Sequence, residues 1–164
     1  MFVIIALAAL TAIAAPACHP GGSYAQSGRA GGGIDRGEVN GRMFDFVSNK
    51  PDGDDWQIRI RGASIWVAYA KEANSDKLGT RGLDDKQATK VWKLIDALDL
   101  TSRKPGKKDE DDGYVMLQLR EPGDEHHDIY TVYVSRSTDD DDVQALATYL
   151  QDLVEKHFKE RPNF

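Results

Sequence analysis

The chain has a single cysteine, no excess of basic residues and no long apolar run beyond its first residues. One cysteine excludes an intrachain disulfide framework and a zinc cage built from thiolates. With 21 Lys and Arg against 27 Asp and Glu, the net charge is −6. Duplex nucleic-acid binders gain most of their affinity by neutralising phosphates, so this balance argues against nucleic acid as a partner. The motifs of common catalysts are missing too: no G-x-S-x-G elbow, no H-E-x-x-H and no Walker loop occur. No nucleophile and base pair stands out, and no cofactor is implied. What remains is 164 residues, 40% hydrophobic and 29% charged, a composition that fits one globular domain with appended segments.

The apolar start reads MFVIIALAALTAIAAPA from Met1 to Ala17. It is shorter than the roughly 20 residues a spanning helix needs, and small residues close it, as at a signal-peptidase site. Residues 1–17 are therefore expected to be a secretory signal. Cys18 follows directly. The segment Ala15-Pro16-Ala17-Cys18, with the apolar run before it, resembles the lipobox of a bacterial prolipoprotein, although Ala15 and Pro16 stand where that motif usually has Leu and then Ser, Ala or Thr. The resemblance implies cleavage after Ala17, lipidation of the Cys18 thiol and a membrane partner reached through that anchor. Several acyl chains hold stably where one does not, since each buried methylene contributes about 0.8 kcal/mol. His19, rather than the Asp associated with inner-membrane retention, follows the cysteine, so the resemblance implies the periplasmic side of the outer membrane. The alternative is ordinary cleavage and a soluble secreted or periplasmic protein.

From His19 to Gly33, six of fifteen residues are Gly, and Leu, Ile, Val and Phe are absent. Such a segment buries too little apolar surface to offset its ordering entropy, so residues 18–42 are expected to form the attachment site and a flexible tether, the Gly-rich part spanning roughly 20 Å.

Residues 43–164 are expected to form one α+β domain. Met43 to Val47 reads as an edge strand. Trp56 to Arg61 alternates apolar and polar residues, Gly62-Ala63 makes a turn, and Ser64 to Ala70 answers as a second strand. A polar loop then leads to Asp84 or Asp85 as helix cap, and Ala88, Val91, Ile95 and Leu98 repeat at helical spacing. The pattern recurs with strands at Gly113 to Arg120 and Ile129 to Ser135, separated by a loop at Glu121 to Asp128. A last helix, capped by Ser137 or Thr138, carries Val143, Leu146, Leu150 and Leu153. The two helical stripes are offset by 55 residues, which suggests a duplication. The expected architecture is an antiparallel sheet of four to five strands with two helices on one face, in ββαββα order.

Strand parity gives the candidate site. With Ile58, Ile60, Ile65, Val67, Val115, Leu117, Leu119 and Val132 turned toward the helices, Arg59, Arg61, Trp66, Gln118, Arg120 and Tyr133 fall on the opposite face. Arg, Trp and Tyr are enriched at binding hot spots. The plainer alternative is a solvated face whose arginines lie over aromatic rings. An Arg59→Glu, Trp66→Ala variant is expected to stay folded and lose partners. Glu125, His126, His127 and Asp128 form a second candidate, for zinc or copper, set against the fact that neighbours in a strand point to opposite faces. The acidic runs Asp109 to Asp112 and Asp139 to Asp142 read as a solvated loop and as a helix start, respectively. Together these features describe a non-enzymatic envelope binding or scaffolding domain that engages an envelope protein or polymer, with a small metal-assisted enzyme as the alternative.

Overall fold

A computed structural model describes residues 41–51, 53–71, 74–123 and 126–164. The expected signal, Cys18 and nearly all of the expected tether lie outside the described residues. Among the described residues, no helix is long and apolar enough to cross a membrane.

The architecture is α+β: one six-stranded antiparallel sheet and two helices. The strands are β1 (Met43–Asn49), β2 (Asp54–Arg61), β3 (Ser64–Lys71), β4 (Asn74–Gly82), β5 (Tyr114–Pro122) and β6 (His127–Ser135). Helix α1 (Asp85–Ala97) follows β4, and α2 (Asp141–Phe158) follows β6. The sheet order is β4-β3-β2-β1-β5-β6.

Two expectations are corrected. The order is ββββαββα rather than ββαββα, because residues 74–82, read as a polar loop, form β4. That strand carries two glycines and no apolar alternation, and its register slips by a bulge opposite Val67/Ala68. Among the described side chains of β4, Leu78 packs against the core. Polar, bulged edge strands of this kind are how sheets terminate without inviting another chain. The second correction concerns β1, which is central rather than an edge, pairing with β2 on one side and β5 on the other. Its Phe44 and Phe46 lie in the core and its outer-face Met43 and Asp45 are contacted by arginines of the neighbouring strands, so burial is unbroken from Met43 to Phe46. The β5–β6 ladder also extends farther than expected, to Pro122 opposite His127.

One sheet face builds the core. Phe44 and Phe46 of β1 stand between Ile60 and Ile58 of β2 and Leu119 and Leu117 of β5. Val91, Ile95 and Leu98 of α1, and Val143, Leu146, Leu150 and Leu153 of α2, join them in one buried cluster. The 3.6-residue spacing of both stripes puts these side chains on one face of each helix, which accounts for the two helices lying on the same side. Trp56 stacks on Tyr69 at 5.0 Å, and Trp92 donates its indole N–H to Gly62 O at 2.9 Å, anchoring α1 to the β2–β3 turn. The Phe164 ring packs on Phe46 at 4.7 Å.

The helix ends follow local rules. Asp84 caps α1 through a reciprocal capping box with Gln87, as its position before the apolar stripe suggested. The cap of α2 is Asp140, not Ser137 or Thr138: its carboxylate accepts the Val143 N–H at 3.1 Å, and Asp141 and Asp142 fill the first turn. The run from Asp139 to Asp142 thus marks a helix start, where acids meet the positive end of the helix dipole. Arg103 binds both Asp140 (2.6 Å) and Leu98 O, tying the end of α1 to the start of α2. The Arg103 contact holds the Asp140 carboxyl below its ordinary pKa against the opposing effect of burial, and the Val143 N–H adds a smaller effect in the same direction as Arg103.

Candidate functional site on the outer sheet face

Because side chains alternate across a strand, the register that buries Phe44 and Phe46 turns Met43, Asp45 and Val47 to the other face. The ladders then set outer-face residues in rows. One row runs Thr80, Trp66, Arg59, Asp45, Gln118 and Thr131 from β4 to β6. The next runs Ser64, Arg61, Met43, Arg120 and Ile129 from β3 to β6.

Asp45 organises both rows. It is 2% exposed, at the middle of the sheet. Arg59 forks onto it, with Nε to Oδ1 at 2.6 Å and Nη2 to Oδ2 at 3.3 Å, and Arg120 approaches Oδ2 at 3.8 Å. Both arginine side chains are 19% exposed, so their carboxylate is sealed while they keep some access to solvent. A fork onto a buried carboxylate fixes the guanidinium plane and strengthens each hydrogen bond. Gln118 Oε1 accepts from Arg120 at 3.0 Å, and its Nε2 donates to Thr131 Oγ1 at 3.0 Å, extending the polar belt to β6. Arg59 also lies 5.9 Å from the Trp66 ring centroid, the arginine-over-aromatic contact of the plainer alternative.

The candidate residues are brought together unequally. Arg59, Arg61 and Trp66 line a cleft of about 180 Å³ with Ser64 and Thr80. Gln118 and Arg120 are on the far side of Asp45, joined to the cleft through that carboxylate. Tyr133 shares the face but stands apart from both. It packs edge-on against Tyr114 at 5.7 Å, with the Lys108 ammonium 5.4 Å from its ring centroid. The loop carrying Lys108 also closes on the edge of β6, where the Tyr133 N–H donates to Pro105 O at 2.7 Å. Two contributors escaped sequence reasoning. An edge position for Met43 to Val47 gives Asp45 no role, since a lone acid there is solvated; the alternation of Phe44 and Phe46 around it is the available signal. Ile129, 57% exposed opposite Arg120, is a large exposed apolar residue on this face.

Three residues of the second candidate are described. His126 is exposed in a bend, and His127 and Asp128 occupy consecutive, exposed positions of β6, pointing to opposite faces. Glu125 lies outside the described residues. His157 sits on α2, 3.3 Å from Gln87 Oε1, and is held below its ordinary pKa chiefly by burial and then by Lys156. Among the described residues, no group of three or more His, Cys, Asp or Glu side chains is placed to hold a metal ion. In the Asp109 to Asp112 run, Asp109 accepts the backbone N–H groups of Asp111 and Asp112, closing the loop on itself.

No family model matches the chain, and comparison with curated proteins gives no match.

Proposed function

We propose that this chain is a non-enzymatic binding or scaffolding domain of a bacterial envelope, anchored through a lipid on Cys18, with the outer sheet face as its working surface. The observation that carries the reading is the braced pair of guanidinium groups about Asp45, beside a cleft walled by Trp66. A surface that holds arginines rigid, half-sealed and next to an indole loses little side-chain entropy when a partner docks. Arg59, Arg61, Trp66, Gln118 and Arg120 form that surface, and Tyr133 extends it toward β6. An envelope protein or an anionic envelope polymer is the partner class that this chemistry suits.

Arg59→Glu is no longer a sound probe, because it sets a second carboxylate against Asp45 and destabilises the sheet. Trp66→Ala combined with Ile129→Lys changes the face while keeping Asp45, Arg59 and Arg120 themselves. That variant is expected to keep its thermal midpoint within a few degrees and to lose the partners captured by the parent chain from envelope extracts; an unchanged partner set contradicts the reading. Anchoring is tested separately. Cys18→Ser is expected to shift the protein from the membrane to the soluble fraction, and mass spectrometry of the parent is expected to find an acylated Cys18 at the mature amino terminus. An unacylated terminus supports the secreted alternative and leaves the binding face unaffected.

A further inference from the structure

We infer that the open end of β6 is a self-pairing edge: a second copy of this chain adds its own β6 antiparallel to it, about a two-fold axis at Ile129. The inference goes beyond the binding reading and needs neither the anchor nor a ligand. β4 and β6 are the two edges of the sheet, and they are built differently. β4 carries Lys77, two glycines and a bulge, devices that keep another strand from adding. From Ile129 to Ser135, β6 reads IYTVYVS, with no lysine, proline or glycine, and its register to β5 is unbroken from His127 to Ser135. β-Branched and aromatic residues in an unbroken ladder make a ready template for another strand.

Parity shows how much of that edge is open. The Tyr133 N–H points away from β5, since it donates to Pro105 O at 2.7 Å. Backbone groups alternate along a strand, so those of Thr131, Ile129 and His127 point outward as well. Pro105 and Gly106 occupy the Tyr133 end, where a β-carbon on Gly106 would meet Tyr133 O at 2.1 Å. Among the described residues, Ile129 and Thr131 have no backbone partner on the outward side. The open stretch is thus His127 to Thr131, and its midpoint is Ile129, a large apolar side chain left 57% exposed. That symmetry selects a second copy. Antiparallel pairing about Ile129 sets it against Ile129 of the second copy, covering both side chains, and sets Thr131 of each chain opposite His127 of the other. Each facing pair exchanges both of its backbone hydrogen bonds. On the helix side, Asp128 of one chain falls opposite Tyr130 of the other. Within its own chain Asp128 stands opposite Glu121, a like charge. The phenol of the second copy brings it a hydrogen-bond donor instead. The open stretch is short, so the interface falls below the roughly 1,200 Å² of stable complexes, and the dimer dissociates in the range of about 10 μM to 1 mM.

The test uses the full chain with Cys18→Ser, so that each added thiol is the chain's only one. In the two-fold pairing the Cα atoms at position 129 stand about 5.5 Å apart, within disulfide reach, whereas those at position 131 are offset along the strands by about 14 Å. Oxidation with diamide is expected to convert Ile129→Cys to a disulfide dimer at least tenfold faster than Thr131→Cys alone. Thr131→Cys mixed with His127→Cys is expected to give the mixed dimer at a rate comparable to Ile129→Cys. By sedimentation, the Cys18→Ser chain is expected to gain mass with concentration. Ile129→Lys, which sets two ammonium groups at the axis, is expected to raise the dissociation constant at least tenfold with an unchanged circular-dichroism spectrum. Trp66→Ala alone, on β3 and remote from β6, keeps the dimer, so loss of the dimer and loss of envelope partners are read apart. Equal cross-linking at positions 129 and 131, or a dimer that survives Ile129→Lys, overturns the inference. So does a chain that stays monomeric up to about 1 mM, whether or not position 129 cross-links to another protein in envelope extract.

Discussion

Replacing Arg59 by Gln removes the fork from a carboxylate that has almost no contact with water. Taking one partner from a buried pair costs about 3–5 kcal/mol, because the remaining charge is left without compensation. Arg120, 3.8 Å from the same carboxylate, remains and moderates the loss, so the lower end, about 3 kcal/mol, is expected. Asp45→Asn is the informative counterpart. It keeps the shape and strands only guanidinium groups that are 19% exposed and still reach solvent, so about 1–2 kcal/mol is expected. The predicted order, Arg59→Gln worse than Asp45→Asn, follows from the difference in burial between the two partners. Urea unfolding followed by circular dichroism measures it. With a slope of roughly 2 kcal/mol/M, Arg59→Gln should lower the midpoint by about 1.5 M and Asp45→Asn by less than about 1 M. Equal losses, or a larger loss for Asp45→Asn, would refute the reasoning that the burial of the partner left behind sets the cost.

Other consequences are equally concrete. Asp140 has a depressed folded pKa, so the stability it contributes is present above its unfolded value and lost as pH falls below about 4; Arg103→Gln should flatten that acid limb and lower stability at neutral pH by about 1 kcal/mol, read from denaturant midpoints across pH. His157 is depressed by burial, so its contribution is present above about pH 6.5 and is lost as pH falls through its lower folded value; His157→Gln should remove that loss, seen as a flatter midpoint between pH 6.5 and 5. Gly106 has φ +70°, and a β-carbon there would stand 2.1 Å from Tyr133 O, so Gly106→Ala should detach the loop from β6 and speed hydrogen exchange at the Tyr133 amide at least tenfold. Leu150→Ala, deep beneath the sheet, should cost about 2–5 kcal/mol in the same unfolding assay.

Alternation and helical spacing carried much of the fold. They placed the apolar faces of β2, β3, β5 and β6 and both helical stripes, because those elements bury one side and show the other. They failed where that premise fails. In β1 the polar Asp45 alternates with Phe44 and Phe46 as in a half-exposed strand, yet it is buried by arginines from the strands on either side. β4 is an edge with a bulge, so Lys77, Gly79 and Thr80 obey no period. The 55-residue offset that aligns the helical stripes sets β6 against β4 but lays β5 across the Gly62–Ala63 turn, so the offset is kept by one strand and not by the other. At the candidate site, parity chose the correct face for Arg59, Arg61, Trp66, Gln118, Arg120 and Tyr133. It did not supply the partner that fixes two of those arginines, since Asp45 reaches them across strands whose order a single sequence does not specify.

Whether the outer face meets another molecule in the cell is best answered by site-specific photocrosslinking. A photoreactive residue at Thr80, beside the cleft, and another at Thr148, exposed on the far side of α2, are introduced into separate full-length chains expressed in bacteria. Adducts from position 80 that disappear with Trp66→Ala, and none of comparable yield from position 148, are expected. Adducts from position 148 alone, or equal yields from both positions regardless of Trp66, would contradict a working surface on the outer sheet face.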